Sequence, residues 1–214
     1  MIVCIATLVV HWRKLVTTAA PPVVFAEVAE IAAPSPKVSG GVRWAPFGTT
    51  LPVDPTAALD PAFITLGRVE QNGLERTEDR PEGKQYDWGG NLIAILQDHY
   101  GLQLKFKLLQ MMNASVQSAA HGSSNVTVTP PTATAGTIIT AQINGKLLDS
   151  GIWVFDAYYM KMSARLVLPY GRPTTVAGPK WSHKELATFD MTIEALPDNN
   201  SNFAYEYWTD GVHT

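Results

Sequence analysis

The chain has 214 residues, which is enough for one large domain or two small ones. Hydrophobic residues make up 46 % of it, so a sizeable core is possible and disorder throughout the chain is excluded. Charged residues make up only 16 %, against about 25 % in an average soluble domain. With 16 glycines and 15 prolines, this composition argues against a charged helical bundle and favours a β-rich body whose largely neutral surface is covered by something.

The distribution of charge limits the kind of partner. The net charge of −3 and an isoelectric point near 5.9 exclude a protein that grips nucleic acid through a strongly basic face. The acidic excess is concentrated in residues 54–98, which carry nine acidic and four basic residues. This stretch is therefore the first place to look for a functional surface.

The N-terminal residues differ in composition from the rest. Cys4 is the only cysteine, which excludes an internal disulfide and a cysteine-rich zinc site. The apolar run 1–10 is shorter than the roughly 20 residues that span a bilayer, and its positive charges follow it, unlike those of a signal peptide. Residues 1–36, rich in proline and alanine, are predicted as an extension or arm of uncertain order, with a buried strand and an over-extended gene start as alternatives. The folded body is predicted to comprise residues 37–214.

The body contains repeated strand patterns. Residues 102–108 alternate apolar and polar side chains without interruption, which predicts a strand with one buried and one solvent-exposed face. Residues 189–195 repeat the pattern. Further β-branched or aromatic runs predict strands at residues 137–143, 152–159, 165–168 and 203–208.

Turn residues separate these runs, and one segment breaks the β pattern. Asn72-Gly73 and Asn144-Gly145 predict hairpin turns, and residues 169–173 and 197–200 predict longer turns. Residues 111–122 lack alternation and predict one short helix, capped by Asn113 and stopped by Gly122. Many short strands with one helix predict a mainly β fold, a sandwich or open barrel.

The sequence shows no constellation typical of catalysis. It lacks a nucleophile elbow, a phosphate-binding loop and a dinucleotide fingerprint, and its five histidines are scattered. Glu78-Asp79 could be read as paired carboxylates, but the adjacent Arg76 and Arg80 favour a solvated charged loop. We therefore expect no enzymatic activity, no catalytic residue, no metal ligand and no cofactor.

An ordered series of short motifs carries a family resemblance over roughly residues 37–208. The series comprises Trp44-Ala-Pro-Phe-Gly-Thr-Thr-Leu-Pro52, Leu59-Asp-Pro-Ala-Phe63, Leu66-Gly-Arg-Val, Gln71–Arg80, Tyr86-Asp-Trp-Gly-Gly90, Phe106-Lys-Leu-Leu-Gln-Met-Met-Asn113, Trp153-Val-Phe-Asp156, Leu168-Pro-Tyr-Gly-Arg172 and Thr192-Ile-Glu-Ala-Leu-Pro-Asp198. In this order the motifs resemble the major tail tube protein of long-tailed, non-contractile bacteriophages, particularly those that infect actinobacteria.

The resemblance implies a fold and an assembly. It implies two packed antiparallel sheets flanked by one short α-helix, six copies in a ring, and rings stacked into a hollow tube through which DNA passes without specific binding. The implied partners are the protein itself and the tape measure, tail terminator and distal tail proteins, with no membrane. The implied location is the tail of the virion, after synthesis in the cytoplasm of the bacterial host.

Two segments are candidate contact surfaces under this resemblance. A long loop that reaches a neighbouring subunit or ring would fall at Thr77, Glu78, Asp79, Arg80, Pro81, Glu82, Gly83, Lys84, Gln85, Tyr86 and Asp87. The short helix is a second candidate, through Asn113, Val116, Gln117 and Ala120.

The acidic stretch has two interpretations. An acidic channel wall would let DNA slide, because DNA carries dense negative charge. The candidate lumen-facing carboxylates are Glu70, Glu75, Glu78, Asp79, Glu82 and Asp87. Alternatively, these groups only solubilise a loop and pair with Arg76, Arg80 and Lys84.

Three other functions are kept as alternatives. The tube of a contractile injection or secretion system shares the architecture. An immunoglobulin-like binding module of the virion predicts a monomer with exposed aromatic residues, for which Tyr205, Tyr207 and Trp208 could serve. A β-rich hydrolase predicts a nucleophile and base pair that the sequence does not show.

Overall fold

A computed structural model describes residues 35–36, by their backbone, and residues 41–211. The predicted N-terminal extension therefore lies outside the described residues, except for its last two, and the predicted boundary at residue 37 lies outside them too. In the described part of the chain, no helix is both long enough and apolar enough to cross a lipid bilayer.

The described residues form thirteen strands and one α-helix. The strands are β1 (Ser35–Pro36), β2 (Val42–Pro46), β3 (Ile64–Thr65), β4 (Val69–Asp79), β5 (Glu82–Tyr86), β6 (Leu92–Gln97), β7 (Gly101–Leu108), β8 (Val126–Thr129), β9 (Ile138–Ala141), β10 (Gly151–Tyr159), β11 (Met162–Ala177), β12 (Phe189–Ala195) and β13 (Tyr205–Thr209). The helix, α1 (Ala114–His121), is followed by a short 3-10 helix at Ser123–Asn125.

Nine strands belong to one antiparallel sheet. Its order is β3-β2-β10-β11-β12-β7-β4, with β1 added to β10 and β13 added to β11, while β5-β6 and β8-β9 form separate two-stranded sheets. The 16-residue β11 pairs with β10 and β13 through its first half and with β12 through its second half. The fold is therefore mainly β with antiparallel sheets and one short helix, as predicted, and the sheet does not close into a barrel.

The main core lies where this sheet folds over itself. Phe106 of β7 contacts Trp153 and Phe155 of β10, with ring centroids 6.1 Å and 5.3 Å apart, although three strand pairings separate β7 from β10. The two halves of the sheet must therefore face each other. The predicted alternation is confirmed, because every second residue of β7 and β12 is buried.

The predicted turn at residues 169–173 is wrong, because these residues lie inside β11. The pairing of β11 skips a residue between Leu168 and Gly171 opposite β10, and again between Pro173 and Thr175 opposite β12. Proline lacks an N–H to donate, so it is accepted within a strand at such bulges. Pro169 and Pro173 therefore lie at or beside these bulges, and β11 continues through both.

The two predicted Asn-Gly hairpin turns are also wrong. Asn72-Gly73 lies within β4, where five steps from Val69 to Leu74 oppose only two steps of β7. Gly73 has φ +70°, so the dipeptide supplies the left-handed backbone of a bulge. Asn144-Gly145 lies in the connection between β9 and β10, which belong to different sheets and do not pair. The longer turn at 197–200 is present.

A buried ion pair lies on the opposite face of β10 and β11. Arg165 Nε donates to Asp156 Oδ1 over 2.6 Å, and the two side chains are 2 % and 4 % exposed. The same guanidinium donates to the backbone carbonyls of Asp54 and Ala57, over 2.7 Å and 3.0 Å. Arg165 therefore attaches the loop between β2 and β3 to the sheet.

Candidate functional site

The candidate site is the β5-β6 hairpin, which we call the hairpin arm (residues 82–97). It extends the β4-β7 pair beyond the body: Asp79 pairs with Gly101 in the body, and Glu82 pairs with Gln97 in the arm. The amide of Asp98 donates to the carbonyl of Pro81 over 3.0 Å, so the ladder continues across the junction. The arm is therefore a hydrogen-bonded ribbon and not a loose loop.

The tip of the arm has a defined geometry. The Asp87 amide donates to the carbonyl of Asn91 over 2.9 Å, and the Asp87 carboxylate accepts from the amide and the side chain of Asn91 over 2.7 Å and 3.0 Å. These hydrogen bonds, that from the Asn91 side chain first, lower the pKa of Asp87 below its usual value. Trp88 lies inside this turn and is fully exposed. A well-formed turn thus presents a large aromatic side chain to solvent.

Both faces of the arm carry exposed apolar side chains. The register skips a residue opposite Gln85-Tyr86, which places Tyr86, Leu92 and Ile95 on one face and Leu96 on the other. The exposed fractions are 58 % for Tyr86, 48 % for Leu92, 66 % for Ile93, 52 % for Ile95 and 55 % for Leu96. Strands that are apolar on both faces are normally buried on both. This concentration of exposed apolar surface therefore indicates a protein contact surface.

Aromatic and charged contacts hold the base of the arm against the body. The guanidinium of Arg80 lies 4.5 Å from the centre of the Tyr100 ring, and Tyr100 packs edge-on against Phe203 at 4.7 Å. Arg80 also donates to Glu78 over 3.1 Å. Arg76 donates to Glu206 over 2.8 Å, which joins β4 to β13 across the open side of the sheet. These contacts attach the junction at the base of the arm to the body.

The charged contacts at the base predict a measurable pKa change. The hydrogen bond from Arg80 is the main cause that holds the pKa of Glu78 below its usual value. Arg80→Ala should therefore raise the pKa of Glu78 towards the ordinary value in an NMR titration of the side-chain carboxyl. Because the folded-state pKa is depressed, the stabilising contribution of Glu78 is present above its unfolded-state pKa and is lost as the pH falls through the folded-state pKa.

The control for this titration is Lys84→Ala. Lys84 lies farther along the arm and forms no ion pair with any described residue. This variant should leave the pKa of Glu78 unchanged. An unchanged pKa in Arg80→Ala would contradict the role given to Arg80.

The predicted contact loop, residues 77–87, is found as strands. Its first three residues end β4, Arg80-Pro81 forms the junction, and the rest forms β5 and the start of the tip. The prediction omitted β6, which carries most of the apolar surface. The sequence did contain a signal for this surface, in the run Leu92-Ile-Ala-Ile-Leu96. Five consecutive apolar residues indicate a strand that is apolar on both faces and is normally covered on both.

The six predicted lumen-facing carboxylates do not share one face. Glu75 and Asp79 lie on the outer face of β4, whereas Glu78 lies opposite buried Leu102 and pairs with Arg76 and Arg80. Glu70 is near Lys107, with oxygen and nitrogen 3.9 Å apart, and Glu82 and Asp87 belong to the arm. A channel-facing role stays a prediction for these carboxylates.

The predicted helix is confirmed, and its residues divide between two roles. Asn113 caps α1 by accepting from the amide of Ser115 over 2.9 Å, and Gln117 donates to the carbonyl of Met111 over 2.8 Å. Val116 and Ala120 are buried in the core of their own chain. An interface role for α1 stays a prediction, and it would involve side chains other than these two.

The aromatic residues of β13 are placed less favourably for a binding loop than the sequence indicated. Tyr205 and Tyr207 are half-buried and pack against a second apolar cluster formed by Ala45, Ile152, Val154 and Val167, and only Trp208, 55 % exposed, faces solvent. The Tyr205 hydroxyl donates to Asp198 over 2.7 Å. Most of this aromatic surface therefore stabilises the fold.

A second exposed apolar region lies at the other end of the strands, and we call it the distal surface. Leu108, at the end of β7 away from the arm, pairs with Phe189, which follows the loop that contains Trp181 and Leu186. Further exposed apolar residues precede β10, and they line one groove with Val176 and with Gly178, which begins the loop before Phe189. The distal surface comprises Ile143, Leu147, Trp181 and Leu186, whose exposed fractions are 84 %, 83 %, 93 % and 78 %.

Comparisons with known proteins give weak matches. No protein-family model matches the chain, and no curated protein matches it. One similar solved structure is the PVC sheath-tube complex, in the extended state, of an extracellular contractile injection system: 8 % identity and a TM-score of 0.37 over 86 % of this chain and 98 % of that one. Another is the anti-feeding prophage cap, a tube terminating cap, with 10 % identity and a TM-score of 0.40 over 84 % and 94 %. Scores and identities this low carry no conclusion about what this chain does.

Proposed function

We propose that this chain is a structural subunit that assembles with copies of itself into stacked rings and so forms a tail tube. The observation that carries the proposal is the hairpin arm, with exposed apolar side chains on both faces of a well-formed ribbon. Such a surface is costly to leave in water and is typical of a contact site. The proposal assigns no catalytic activity to the chain.

The position of the apolar surfaces supports an assembly that extends in one direction. The arm and the loop that carries Trp181 and Leu186 leave β7 and β12 at opposite ends, separated by about 23 Å along the eight-residue β7. Two different surfaces at opposite ends favour head-to-tail contacts over a two-fold dimer. Head-to-tail contacts produce closed rings or open filaments, which are the components of a tube.

The edge of the large sheet supports lateral contacts. The 11-residue β4 is the last strand of its sheet, and among the described strands it pairs only with β7. A long free edge is a template for strand pairing with another copy, and charges along it disfavour wrong partners. The finer parts of the proposal, six copies per ring, a channel for DNA and a non-contractile phage tail, rest on the sequence resemblance.

Electron microscopy of the purified full chain in negative stain tests the proposal. We expect hollow rings or tubes, and sedimentation velocity should show mass that increases with protein concentration. A chain that stays monomeric in sedimentation at every concentration tested would overturn the proposal and favour the binding-module alternative.

A further inference from the structure

A groove on the distal surface has the chemistry to bind the hairpin arm. Its volume is about 580 Å³, and it lies between the C-terminal end of α1, the loop before β10 and the second half of β11. Ile143 and Leu147 stand at its rim, and Ala120, Pro173 and Val176 line its wall. It is large enough for several side chains and is apolar over much of its wall.

The charges of the groove and of the arm are opposite. Lys146 and Arg172 line the groove, and neither forms an ion pair with another residue of the described chain. The arm and its junction carry Glu82, Asp87 and Asp98 against two cations, Lys84 and Arg80, and the Arg80 guanidinium is already paired with Glu78. Complementary potentials favour the correct pairing of two surfaces and speed their association.

The arm points away from the groove of its own chain. The arm leaves the body beyond Gly101 of β7, whereas the groove runs beside the second half of β11, from Arg172, which is level with Gln103 of β7, towards the Leu108 end. From Pro81 to Trp88 the arm extends roughly 23 Å farther away, at about 3.3 Å per residue. A groove that receives an arm must therefore belong to another copy.

The arm as a whole, with both faces and the tip counted, exposes about as much apolar area as one side of a standard interface. Six large side chains of the arm are half to fully exposed, which corresponds to on the order of 700–800 Å². A standard protein interface buries about 800 Å² per partner. Trp88, at the tip, is the residue type most often found to dominate binding energy.

We propose that the groove receives the hairpin arm of a second copy of this chain, with Trp88 and its neighbours against Ile143 and Leu147 and the arm's carboxylates towards Lys146 and Arg172. This proposal rests on the proposed function, because it names the surfaces through which successive subunits stack. The other opening near α1, a cleft of about 200 Å³ beside Trp44 and Trp153, is smaller and lined by no basic side chain.

Two variants, each defective in one surface, provide the test. The arm variant carries Trp88→Ser and Ile93→Asp, and the groove variant carries Ile143→Asp and Leu147→Asp. Each alone should stop at the monomer or the single ring in sedimentation. Mixed in equal amounts, they should double in mass and grow no further, because the intact arm of one fits the intact groove of the other.

A change of charge tests the pairing independently of apolar surface. Lys146→Glu with Arg172→Glu should weaken stacking, and adding Asp87→Asn to the same chain, which removes the carboxylate next to Trp88, should restore part of it. Met160→Asp is the matched control for the variants that replace an exposed apolar residue by aspartate. Met160 is 84 % exposed, and its left-handed backbone, with φ +52°, is one that aspartate tolerates. This control should stack like the unchanged chain.

The outcomes separate the two proposals. Tubes from the groove variant, or a mixture with no gain in mass, would overturn the docking proposal and leave the tube function standing. The same conclusion would follow if Ala119→Trp, which fills the cleft beside α1, stopped stacking while the groove variant stacked. Doubled mass in the mixture, with no tube from the unchanged chain, would support docking and overturn the tube function.

Discussion

Replacing Glu82–Gln97 by an Asn-Gly turn is expected to give a folded monomer that no longer assembles. The carbonyl of Pro81 and the amide of Asp98 are 3.0 Å apart, so a two-residue turn can join the cut ends. The removed residues belong to neither buried cluster, so the free energy of unfolding should change by less than about 1 kcal/mol. Loss of several anchor residues should raise the critical concentration for assembly by more than about 100-fold.

Pelleting over a concentration series measures assembly, and urea unfolding, followed through buried Trp153, measures stability. A second variant keeps the ribbon and removes its apolar surface, by Leu92→Thr, Ile93→Thr, Ile95→Thr and Leu96→Thr. Since threonine favours strands, this variant should also fail to assemble. Normal tubes from the shortened chain would contradict the role of the arm in assembly. Tubes from the threonine variant would show that the backbone of the arm, and not its apolar side chains, makes the contact.

Asp156→Ala is expected to lower the free energy of unfolding by about 3–5 kcal/mol, because it leaves a buried guanidinium without its counter-ion. The buried Arg165 side chain also donates to the carbonyls of Asp54 and Ala57. Disturbing it should loosen the loop that covers the second apolar cluster with Leu51 and Leu59. Urea denaturation measures the change.

Two further variants show whether the cost comes from the unpaired charge. Arg43→Ala should cost about 1 kcal/mol or less, because Arg43 is 25 % exposed and 3.5 Å from Asp156. Asp156→Leu combined with Arg165→Met should recover much of the stability, since a buried ion pair replaced by apolar residues of similar volume is often neutral. A loss below about 1 kcal/mol in Asp156→Ala would show that Arg165 does not depend on Asp156.

Local patterns predicted the elements whose residues carry their own periodicity. Residues 102–108 and 189–195 alternate in sequence and pair with each other in the core as β7 and β12. The helix was equally visible, because the cap at Asn113 and the stop at Gly122 act through bonds to residues two to four positions away. In these segments, the nearest neighbours in the chain supply most of the physical constraint.

Turn and proline signals misled where a distant partner strand determined the outcome. An Asn-Gly pair stabilises left-handed backbone, which suits a hairpin turn and a bulge equally well, and the partner of β4 selects the bulge at Gly73. In the sequence alone, Pro169 and Pro173 have the appearance of residues that end a strand. In the sheet, Pro169 lies in the bulge opposite β10, and Pro173 pairs with Ile193 next to the residue that the pairing with β12 skips.

The sequence by itself determined the mainly β fold, the single capped helix and the acidic character of the segment around residue 80, because composition and short-range periodicity encode them directly. Only the tertiary structure decided that this segment continues into an apolar ribbon, that its carboxylates lie on different faces, and that a groove with basic side chains lies beside α1 and the second half of β11. These features depend on strand register and on which residues are left uncovered. Both result from pairing between residues far apart in the chain, which no local pattern records.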